Sequence, residues 1–247
     1  MWATRSTPTG SIPRRAGPVA RPAVTVAMLV YRDPAWLSFC LEGLAWARNE
    51  TPYRTIIVGN DAEADVLSTG RIDIDHRNAD PSEHYLARVY RAWNRAVEES
   101  QTELVCLINS DMYVSDYWLD ELVGVYLGDK NTLPCSLLVE SGRIPSAMPE
   151  YVESLGTTPD GFDRAKWMEV SGKLRLAGGG RTEPGRLFMP VLFERENFLR
   201  LGGYPAGNPA GTTGDKDLFG RFARAGYRHL TALGSVVYHV QEGEMRG

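Results

Sequence analysis

The sequence lacks the features that mark several common classes of protein. Its 247 residues include only three cysteines and no C-x-x-C pair, which argues against a disulfide framework or a zinc site. No apolar run approaches the ~20 residues that a membrane-spanning helix needs. No internal repeat or low-complexity segment is present. We therefore predict a cytoplasmic protein without a transmembrane segment, in which Cys40, Cys106 and Cys135 are reduced core residues.

A strong excess of charge of either sign is also absent. The chain carries 27 Lys and Arg against 31 Asp and Glu, a formal net charge of −4, which argues against a main role in binding nucleic acid. Residues 1–23 hold four arginines and no acid, so the remainder has 27 − 4 = 23 bases against 31 acids, or −8. Four prolines in the same stretch oppose an amphipathic targeting helix, and we predict a disordered tail over 1–23.

Strand and helix patterns alternate through the first half of the remaining 247 − 23 = 224 residues. Apolar runs predict strands at 24–31, 55–59 and 104–108, with a short alternating strand at 71–75. Helices are predicted to begin at Asp33-Pro34, at 82 and at Ser115. The helix over 82–100 is predicted to bury one stripe, made of Tyr85, Val89, Trp93 and Val97. This order predicts an α/β fold of parallel βαβ units with helices on both faces of a sheet.

The second half is less regular. Residues 141–186 mix glycine, proline and charge, which predicts long loops with one short helix at 163–170. A strand at 187–193, a short helix at 195–201 and a turn at 202–205 follow. We then predict a Gly/Pro/Thr loop at 206–213 and a helix over 215–225, ended by Gly226. Two short closing strands follow, the second at 236–239.

Parallel sheets bind ligands beyond the carboxyl ends of their strands, and acidic or polar residues follow the predicted strands there. Asp33 follows the first strand, Asp61 the second, and Asn109-Ser110-Asp111 the strand at 104–108. A carboxylate at 111 suits Mg²⁺ or Mn²⁺, which bridge protein oxygen to substrate phosphates. The alternative is a turn, because Asn, Ser and Asp also form turns.

Further candidates lie towards the end of the sequence. Asp215 and Asp217 are two residues apart and cannot share a helix face, so one can face a cleft while the other caps the helix or pairs with Arg221. The alternative is an acidic first turn that suits the helix dipole. His239 is a candidate metal ligand if it meets Asp111, since imidazole also suits Mn²⁺; a lone strand histidine is otherwise structural.

Four stretches together resemble the glycosyltransferases of the GT-A fold, and within them the large inverting family 2. Residues 24–32 resemble the opening strand, 57–61 the strand and turn that contact the nucleoside, and 107–111 the D-x-D element. Residues 202–204 followed by 215–227 are similar to the acceptor-side GG turn and the E-D-x-D-L helix, which is the longest and most specific match. The resemblance implies a Rossmann-like α/β/α sandwich with a mostly parallel central sheet. It also implies a single catalytic domain over 24–247, with a nucleotide-binding half, 24–128, and an acceptor-binding half, 129–247.

On the donor side, the resemblance implies a nucleotide-diphosphate sugar, with a UDP-sugar favoured. Asp111 and His239 would hold Mn²⁺ or Mg²⁺ as a Lewis acid for the departing diphosphate. The residues expected to contact the nucleotide are Asp33, Asp61, Asn94, Asn109 and Asp111.

On the acceptor side, the resemblance implies transfer to an unidentified hydroxyl with inversion at the anomeric carbon. Asp215 is the first choice of general base and Asp217 the second. Trp167 and Tyr204 either stack on a sugar or pack in the core. An acidic cleft would repel the diphosphate, which is a further reason to expect a cation.

Three positions depart from the family pattern. Arg32 stands where the family often has Asn, Asn109 replaces the first Asp of D-x-D, and Gly214 stands where Glu is frequent. Asn109 can hydrogen-bond a ribose hydroxyl but adds no charge. These departures leave open a catalytically inactive nucleotide-sugar or glycan-binding module. A retaining transferase also stays open, and so does a sugar-1-phosphate nucleotidyltransferase, although residues 31–34 lack the glycines that such an enzyme needs. The oligomeric state is not readable from the sequence.

Overall fold

The computed structural model describes residues 21–80, 82–205 and 214–243. The predicted tail therefore lies outside the described residues except for 21–23. Within the described ranges there are nine strands, seven α-helices and a 3-10 helix, Pro149–Tyr151. The strands are β1 Val24–Val30, β2 Tyr53–Asn60, β3 Ile74–His76, β4 Leu104–Asn109, β5 Met112–Val114, β6 Thr132–Glu140, β7 Thr182–Pro184, β8 Val191–Glu194 and β9 Arg228–His239. The helices are α1 Pro34–Trp46, α2 Ala64–Ser68, α3 Tyr85–Glu99, α4 Trp118–Gly128, α5 Arg164–Gly178, α6 Arg195–Arg200 and α7 Gly214–Arg224.

All nine strands form one sheet in the order β3-β2-β1-β4-β8-β6-β9-β5, with β7 paired to β9. The first four strands of this order are parallel, as predicted. The other half is mixed, because β6 and β9 are parallel while β8, β5 and β7 run antiparallel to their neighbours. The strands whose carboxyl ends were predicted to face a ligand, β1, β2 and β4, therefore belong to the parallel half of the sheet.

The core lies on both faces of the sheet. Alternate residues of β1 enter two different clusters, since Met28 packs with the side chains of α1 and α4 while Ala27 packs with those of α3, α6 and α7. A third cluster around Trp167 joins α5 to β9. The three cysteines are buried and unpaired, as predicted. None of the helices in the described ranges is long and apolar enough to span a bilayer.

Several elements of the second half differ from the prediction, and β7 lies where loops were predicted. Strand β6 was not predicted, and its nine residues are all buried even though Pro134 lies within it. Helix α5 begins after its Asp163 cap, as predicted, but continues to Gly178. Gly178 lies against β9, where a Cβ atom would be 2.3 Å from the carbonyl oxygen of Leu233. The glycine that suggested a loop is therefore the residue that lets the helix approach the strand.

Further boundaries differ for identifiable reasons. The two closing strands predicted at the end are one strand, β9, with an irregular register opposite Ser136 and Leu137. The prediction that Ser115 caps a helix is wrong, because α4 begins after Tyr117, which has a left-handed backbone (φ 59°) and no side-chain cap. Gly226 has a φ of 93°, as expected for a glycine that ends a helix.

Candidate functional site

A cavity of about 380 Å³ lies beyond the carboxyl ends of β1, β2 and β4. Helix α3 forms one wall, and residues after β9 form another. The polar residues that line it are Tyr31, Arg32, Asn60, Tyr85, Arg88, Asn109, Ser110, Asp111, His239 and Glu242. This is the position at which parallel sheets bind ligands, so the strand-end prediction and the cavity coincide.

A larger open hollow, of about 730 Å³, lies along α4 beside the first residues of β6 and β9. Its charged groups already have protein partners. Arg21 donates to Asp120 at 3.0 Å, and Arg228 pairs with Asp129 at 2.7 Å. None of the predicted site residues lines it. The smaller cavity is therefore the candidate site.

Asp111 and His239 meet at the inner end of this cavity. Strand β5 begins at Met112, and its antiparallel pairing with β9 places Met112 opposite His239. The Nε2 atom of His239 lies 3.7 Å from Oδ2 of Asp111. The condition under which His239 was expected to bind a metal, contact with Asp111, is thus met.

Glu140 orients the imidazole. The parallel register of β6 and β9 places Glu140 beside His239, and its Oε1 lies 3.2 Å from Nδ1. A carboxylate on Nδ1 leaves Nε2 turned towards Asp111, the arrangement that orients metal-binding histidines. Burial alone would raise the pKa of Glu140, but the hydrogen bond with His239 and its charge hold that pKa below its usual value.

The electrostatics of this trio favour a bound cation. Burial raises the pKa of Asp111, an effect only partly offset by His239. Burial would lower the pKa of His239, but the charges of Asp111 and Glu140 raise it overall. The carboxylates of Asp111 and Glu140 therefore favour a positive charge at His239, either a proton on the imidazole or a metal ion beside it.

Asp111 and His239 fit a divalent metal ion. The Oδ1 atom of Asp111 is buried and has no hydrogen-bond partner. Across the described ranges, no group of three or more His, Cys, Asp or Glu side chains is arranged to hold a metal by itself. Mg²⁺ and Mn²⁺ often take one or two protein ligands and complete their shell with phosphate oxygens and water. The two residues thus suit a metal that is shared with a phosphate-bearing ligand.

The segment after β9 holds Asp111 in place. The N–H of Val240 donates to the Asp111 carbonyl at 3.0 Å, and that of Gly243 donates to Oδ2 at 3.2 Å. A Cβ atom at Gly243 would lie 2.8 Å from the Asp111 Cβ and 2.9 Å from the Trp36 ring. Only glycine allows this approach without displacement, a requirement that the sequence analysis did not identify.

Asp61 lies next to the cavity but its carboxylate is already occupied. Oδ1 accepts from the backbone N–H of Asn78, and Oδ2 accepts from Asn78 Nδ2 and from Arg88, each at 2.9 Å. Burial would raise the pKa of Asp61, but these hydrogen bonds and the Arg88 charge lower it. Asp61 thus orders Asn78 and Arg88, which were not predicted as site residues.

That ordering leaves polar atoms available in the same place. Arg88 Nε and Asn78 Oδ1 are both buried and without a hydrogen-bond partner, as is Nε2 of His76. Asn78 Nδ2 donates to Asn60 at 3.0 Å, so its oxygen is the free end. Buried polar groups are normally paired. Water or a polar ligand would satisfy such atoms, so this cluster makes the side of the cavity next to β2 and α3 polar.

Asp33 and Asn94, both predicted to contact the nucleotide, do not line the cavity. Asp33 accepts from the N–H of Ala35 at 2.7 Å and caps α1, as its place before Pro34 predicted. Asn94 holds the backbone of Tyr204 through two hydrogen bonds, of 2.9 Å to its carbonyl and 2.8 Å from its N–H. Tyr204 and Trp167 are buried, which favours the core-packing interpretation of both.

The two acids of α7 have different surroundings. Asp217 is exposed and accepts from Nε of Arg221 at 3.0 Å, and Arg221 also donates to the carbonyl oxygens of Leu201 and Gly203. Asp215 is less exposed, and burial raises its pKa while the Tyr204 hydroxyl lowers it. Asp217 therefore braces the 202–204 turn, and Asp215 is the acid whose proton affinity is increased.

Helix α3 connects Asp215 to the cavity. Its residues Tyr85, Leu86 and Val89 line the cavity, and the next residue, Tyr90, contacts the start of α7. Neither Asp215 nor Asp217 lines the cavity itself. Residues 206–213, which precede α7 and were predicted to form a loop, lie outside the described ranges. Of the five acids expected around one cleft, Asp111 lines the cavity and Asp61 adjoins it.

No protein-family model matches the sequence, and no curated protein does so either. Among solved structures, the chain is similar to the mannosyltransferase PcManGT from Pyrobaculum calidifontis, in complex with GDP-Man and Mn²⁺, at 17% identity and a TM-score of 0.58. It is also similar to GalNAc-T7 with UDP, GalNAc and Mn²⁺, at 16% identity and a TM-score of 0.59.

Each of these matches covers 89% of the present chain. The chain in turn spans 57% of the first structure and 44% of the second, or about half of each. At such low identity the likeness concerns the fold. The large sheet flanked by helices is thus the GT-A fold, as the resemblance implied.

Proposed function

We propose that this protein is a metal-dependent glycosyltransferase that moves a sugar from a nucleotide-diphosphate donor to an acceptor hydroxyl. The observation that carries the proposal is the meeting of Asp111 with a carboxylate-oriented His239 in the strand-end cavity. The two similar structures are described with GDP-Man or UDP and with Mn²⁺, which supports a nucleotide-sugar donor here.

Asp111 and His239 would hold Mn²⁺ or Mg²⁺ through Oδ1 and Nε2. When bound, the ion supplies Lewis acidity that offsets the negative charge developing on the departing diphosphate. Glu140 keeps Nε2 of His239 free by occupying Nδ1. Gly243 fixes the Asp111 carboxylate through Oδ2, so that Oδ1 is the oxygen left for the ion.

The nucleoside end of the donor would lie against α3 and β2. Asp61 orders Asn78 and Arg88, whose free oxygen and Nε–H can accept from and donate to a base or ribose. Asn109 would bind a ribose hydroxyl. Most of the donor contacts then come from residues 24–128, while Glu140 and His239 of the acceptor-binding half complete the metal site.

Asp215 would act as the general base. It takes the proton of the acceptor hydroxyl as the oxygen attacks the anomeric carbon in line, which inverts that carbon. Its raised pKa makes it a better proton acceptor than an exposed carboxylate. Asp217 is the second candidate, but its pairing with Arg221 suits a role in holding the 202–204 turn.

Transfer assays with a set of UDP-, GDP- and dTDP-sugars in Mn²⁺ test the proposal. We expect Asp111→Ala and Asp215→Asn to reduce turnover by about 10²-fold or more, and Asp129→Asn, at an exposed ion pair, to keep it. Folded Asp111→Ala and Asp215→Asn proteins with wild-type turnover on a demonstrated donor would refute the mechanism.

A second candidate function is a catalytically inactive module that binds nucleotide sugars or glycans. Asn109 and Gly214, which replace acids of the resembled family pattern, are the observations that favour it. Metal-dependent donor binding without transfer or hydrolysis on any acceptor would select this alternative.

A further inference from the structure

Tyr90 sits directly on the first turn of α7. A Cβ atom at Gly214 would lie 2.1 Å from Cε2 and 2.3 Å from Cζ of the Tyr90 ring, so only glycine leaves room for this contact. The Tyr90 hydroxyl accepts hydrogen bonds from the backbone N–H groups of Gly214 and Asp215. These N–H groups have no partner within the helix, so the hydroxyl acts as a cap supplied by another element.

Tyr204 completes the contact from the other side. Its ring is stacked on that of Tyr90, with centroids 4.8 Å apart and an interplanar angle of 8°. Asn94 holds the Tyr204 backbone at both its N–H and its carbonyl. The Tyr204 hydroxyl is buried and makes no hydrogen bond of ordinary geometry, yet it is close enough to Asp215 to lower the pKa of that carboxyl.

Within the described ranges, three ionisable groups of neighbouring elements act on Asp215. They are Tyr90 of α3, Tyr204 of the 202–205 turn and Cys135 of β6, and the thiol is fully buried with a pKa raised well above its usual value. On α7 itself Lys216 and Asp217 are exposed, and Arg221 pairs with Asp217. Burial thus opposes ionisation of Asp215, and the Tyr204 hydroxyl supports it.

We propose that the stacked pair of Tyr90 and Tyr204 positions Asp215 for its work as a base. Tyr90 fixes the first turn of α7, and Tyr204, stacked on Tyr90, holds its buried hydroxyl near the Asp215 carboxylate, where it can donate to one oxygen and leave the other to receive the acceptor proton. The Tyr204 proton stays on its own oxygen throughout. Both tyrosines are positioning residues, and the proposal rests on the proposed role of Asp215.

The pair also gives a reason for one departure from the resembled family. Gly214 stands where that family often has Glu, and a glutamate side chain here would have to occupy the space of the Tyr90 ring. The lack of a side chain at Gly214 therefore lets the Tyr90 ring pack on the first turn of α7. An aromatic ring, rather than a second acid, then positions Asp215.

The chemical state of Asp215 can be measured without turnover, by carbon-13 NMR titration of Asp carboxyl groups with Asp215→Asn as the assignment control. We expect Tyr204→Phe to raise the pKa of Asp215 by about one unit, because the donor to the carboxylate is lost. Tyr227→Phe, beyond the other end of α7, should leave it unchanged. An Asp215 carboxyl that titrates identically in the wild type and Tyr204→Phe would overturn the proposal, whatever the enzyme's activity.

Kinetics separate this proposal from the proposed function. We expect Tyr90→Phe to lower kcat by about tenfold through misplacement of the base while KM for the donor stays constant. Tyr204→Phe should move the acid limb of the kcat profile to higher pH. If Asp215→Asn abolishes transfer but both tyrosine variants keep wild-type kcat and pH profile, the positioning pair is refuted and the base remains. Wild-type turnover in Asp215→Asn would refute the base and the pair together.

Discussion

The Glu140 carboxylate decides which nitrogen of His239 faces Asp111. It contacts Nδ1 at 3.2 Å, so a neutral ring carries its proton there and presents the Nε2 lone pair to the cavity. At the scale of a single residue, the site therefore depends on a side chain that never needs to touch the metal or the substrate.

Removal of this carboxylate should weaken the binding of metal. We expect Glu140→Ala to reduce Mn²⁺ affinity by about 10- to 100-fold, because the imidazole loses its orientation and part of its basicity. Electron paramagnetic resonance of free Mn²⁺ measures the affinity directly. Glu153→Ala, at an exposed ion pair with Lys166, is the matched control and should bind Mn²⁺ as the wild type does. Equal affinity in a folded Glu140→Ala protein would show that Glu140 does not orient a ligand.

Asp61 should give the fold a pH dependence of definite sign. Its pKa in the folded protein is lowered by Asn78 and Arg88, so its contribution to stability is complete above the unfolded value near ~3.9 and is lost as pH falls through the folded value. Urea unfolding of the wild type and Asp61→Asn should therefore differ most at pH 6–7 and converge towards pH 3. A stability difference that stays constant over this range would contradict the assignment.

The sequence predicted individual residues well where chemistry and strand position coincide. His239 was a candidate metal ligand on the condition that it meets Asp111, and the structure brings the two side chains to 3.7 Å. Glu140 was missed because its strand, β6, contains Pro134, and a proline argues against a central strand. Tyr90 was missed because the predicted stripe used a strict spacing of four residues, whereas a helix has 3.6 residues per turn. As a result Tyr85, at the start of that stripe, lines the cavity, while Tyr90 is in the core.

At the scale of elements, two glycines of α5 behave differently although they lie six residues apart. A Cβ atom at Gly178 would be 2.3 Å from the carbonyl oxygen of Leu233 in β9, whereas one at Gly172 would meet nothing within 4 Å. Gly178 is required because the helix packs closely on the strand. Gly172 has no such constraint, and its backbone flexibility only weakens the helix.

Alanine substitutions should expose this difference. We expect Gly178→Ala to lower the free energy of unfolding by about 1–3 kcal/mol, since backbone atoms of β9 must move. Gly172→Ala should raise it by up to about 1 kcal/mol, because alanine favours the helix. Chemical denaturation of the two variants beside the wild type measures both effects. Equal changes of the same sign would mean that Gly178 is not held against β9.

Element existence was predictable in the first half for a physical reason. Buried parallel strands have long apolar runs, and each is followed by a polar loop and an amphipathic or capped helix, so the pattern repeats. In the second half β8 has four residues and β7 three, and glycine serves packing in α5 as well as turns. Tertiary contacts, rather than local pattern, define those elements.

At the scale of the whole molecule, the single sheet joins both halves of the chain at one cavity. Strand β4 supplies Asn109, β9 supplies His239, and the turn between β4 and β5 supplies Asp111. The sequence predicted the parallel half and the polar strand ends at its edge. It could not predict that β8 inserts antiparallel between β4 and β6, because pairing direction depends on contacts between distant residues.

Ligand binding should stabilise the whole molecule only when the cation is present. We expect a saturating nucleoside diphosphate with Mn²⁺, at about 100 times its Kd, to raise Tm by roughly 5–10 °C. The nucleotide alone should do little, because Asp111 and Glu242 line the same cavity as the diphosphate would. Asp111→Ala should abolish the part of this Tm increase that depends on Mn²⁺. Full stabilisation without any divalent cation would argue against the proposed metal role.

The pairing of Asp111 with the segment around His239 has a consequence for biosynthesis. Gly243 and Asp111 are 132 residues apart in sequence, and His239 and Glu140 are 99 apart. A ribosome adding about 5–20 residues per second therefore needs several seconds to pass from the first carboxylate to the histidine. Throughout that interval the growing chain holds Asp111 without its imidazole partner. The proposed metal site cannot form on the nascent chain until β9 has emerged and paired with β6, so the proposed activity begins only after the sheet is complete.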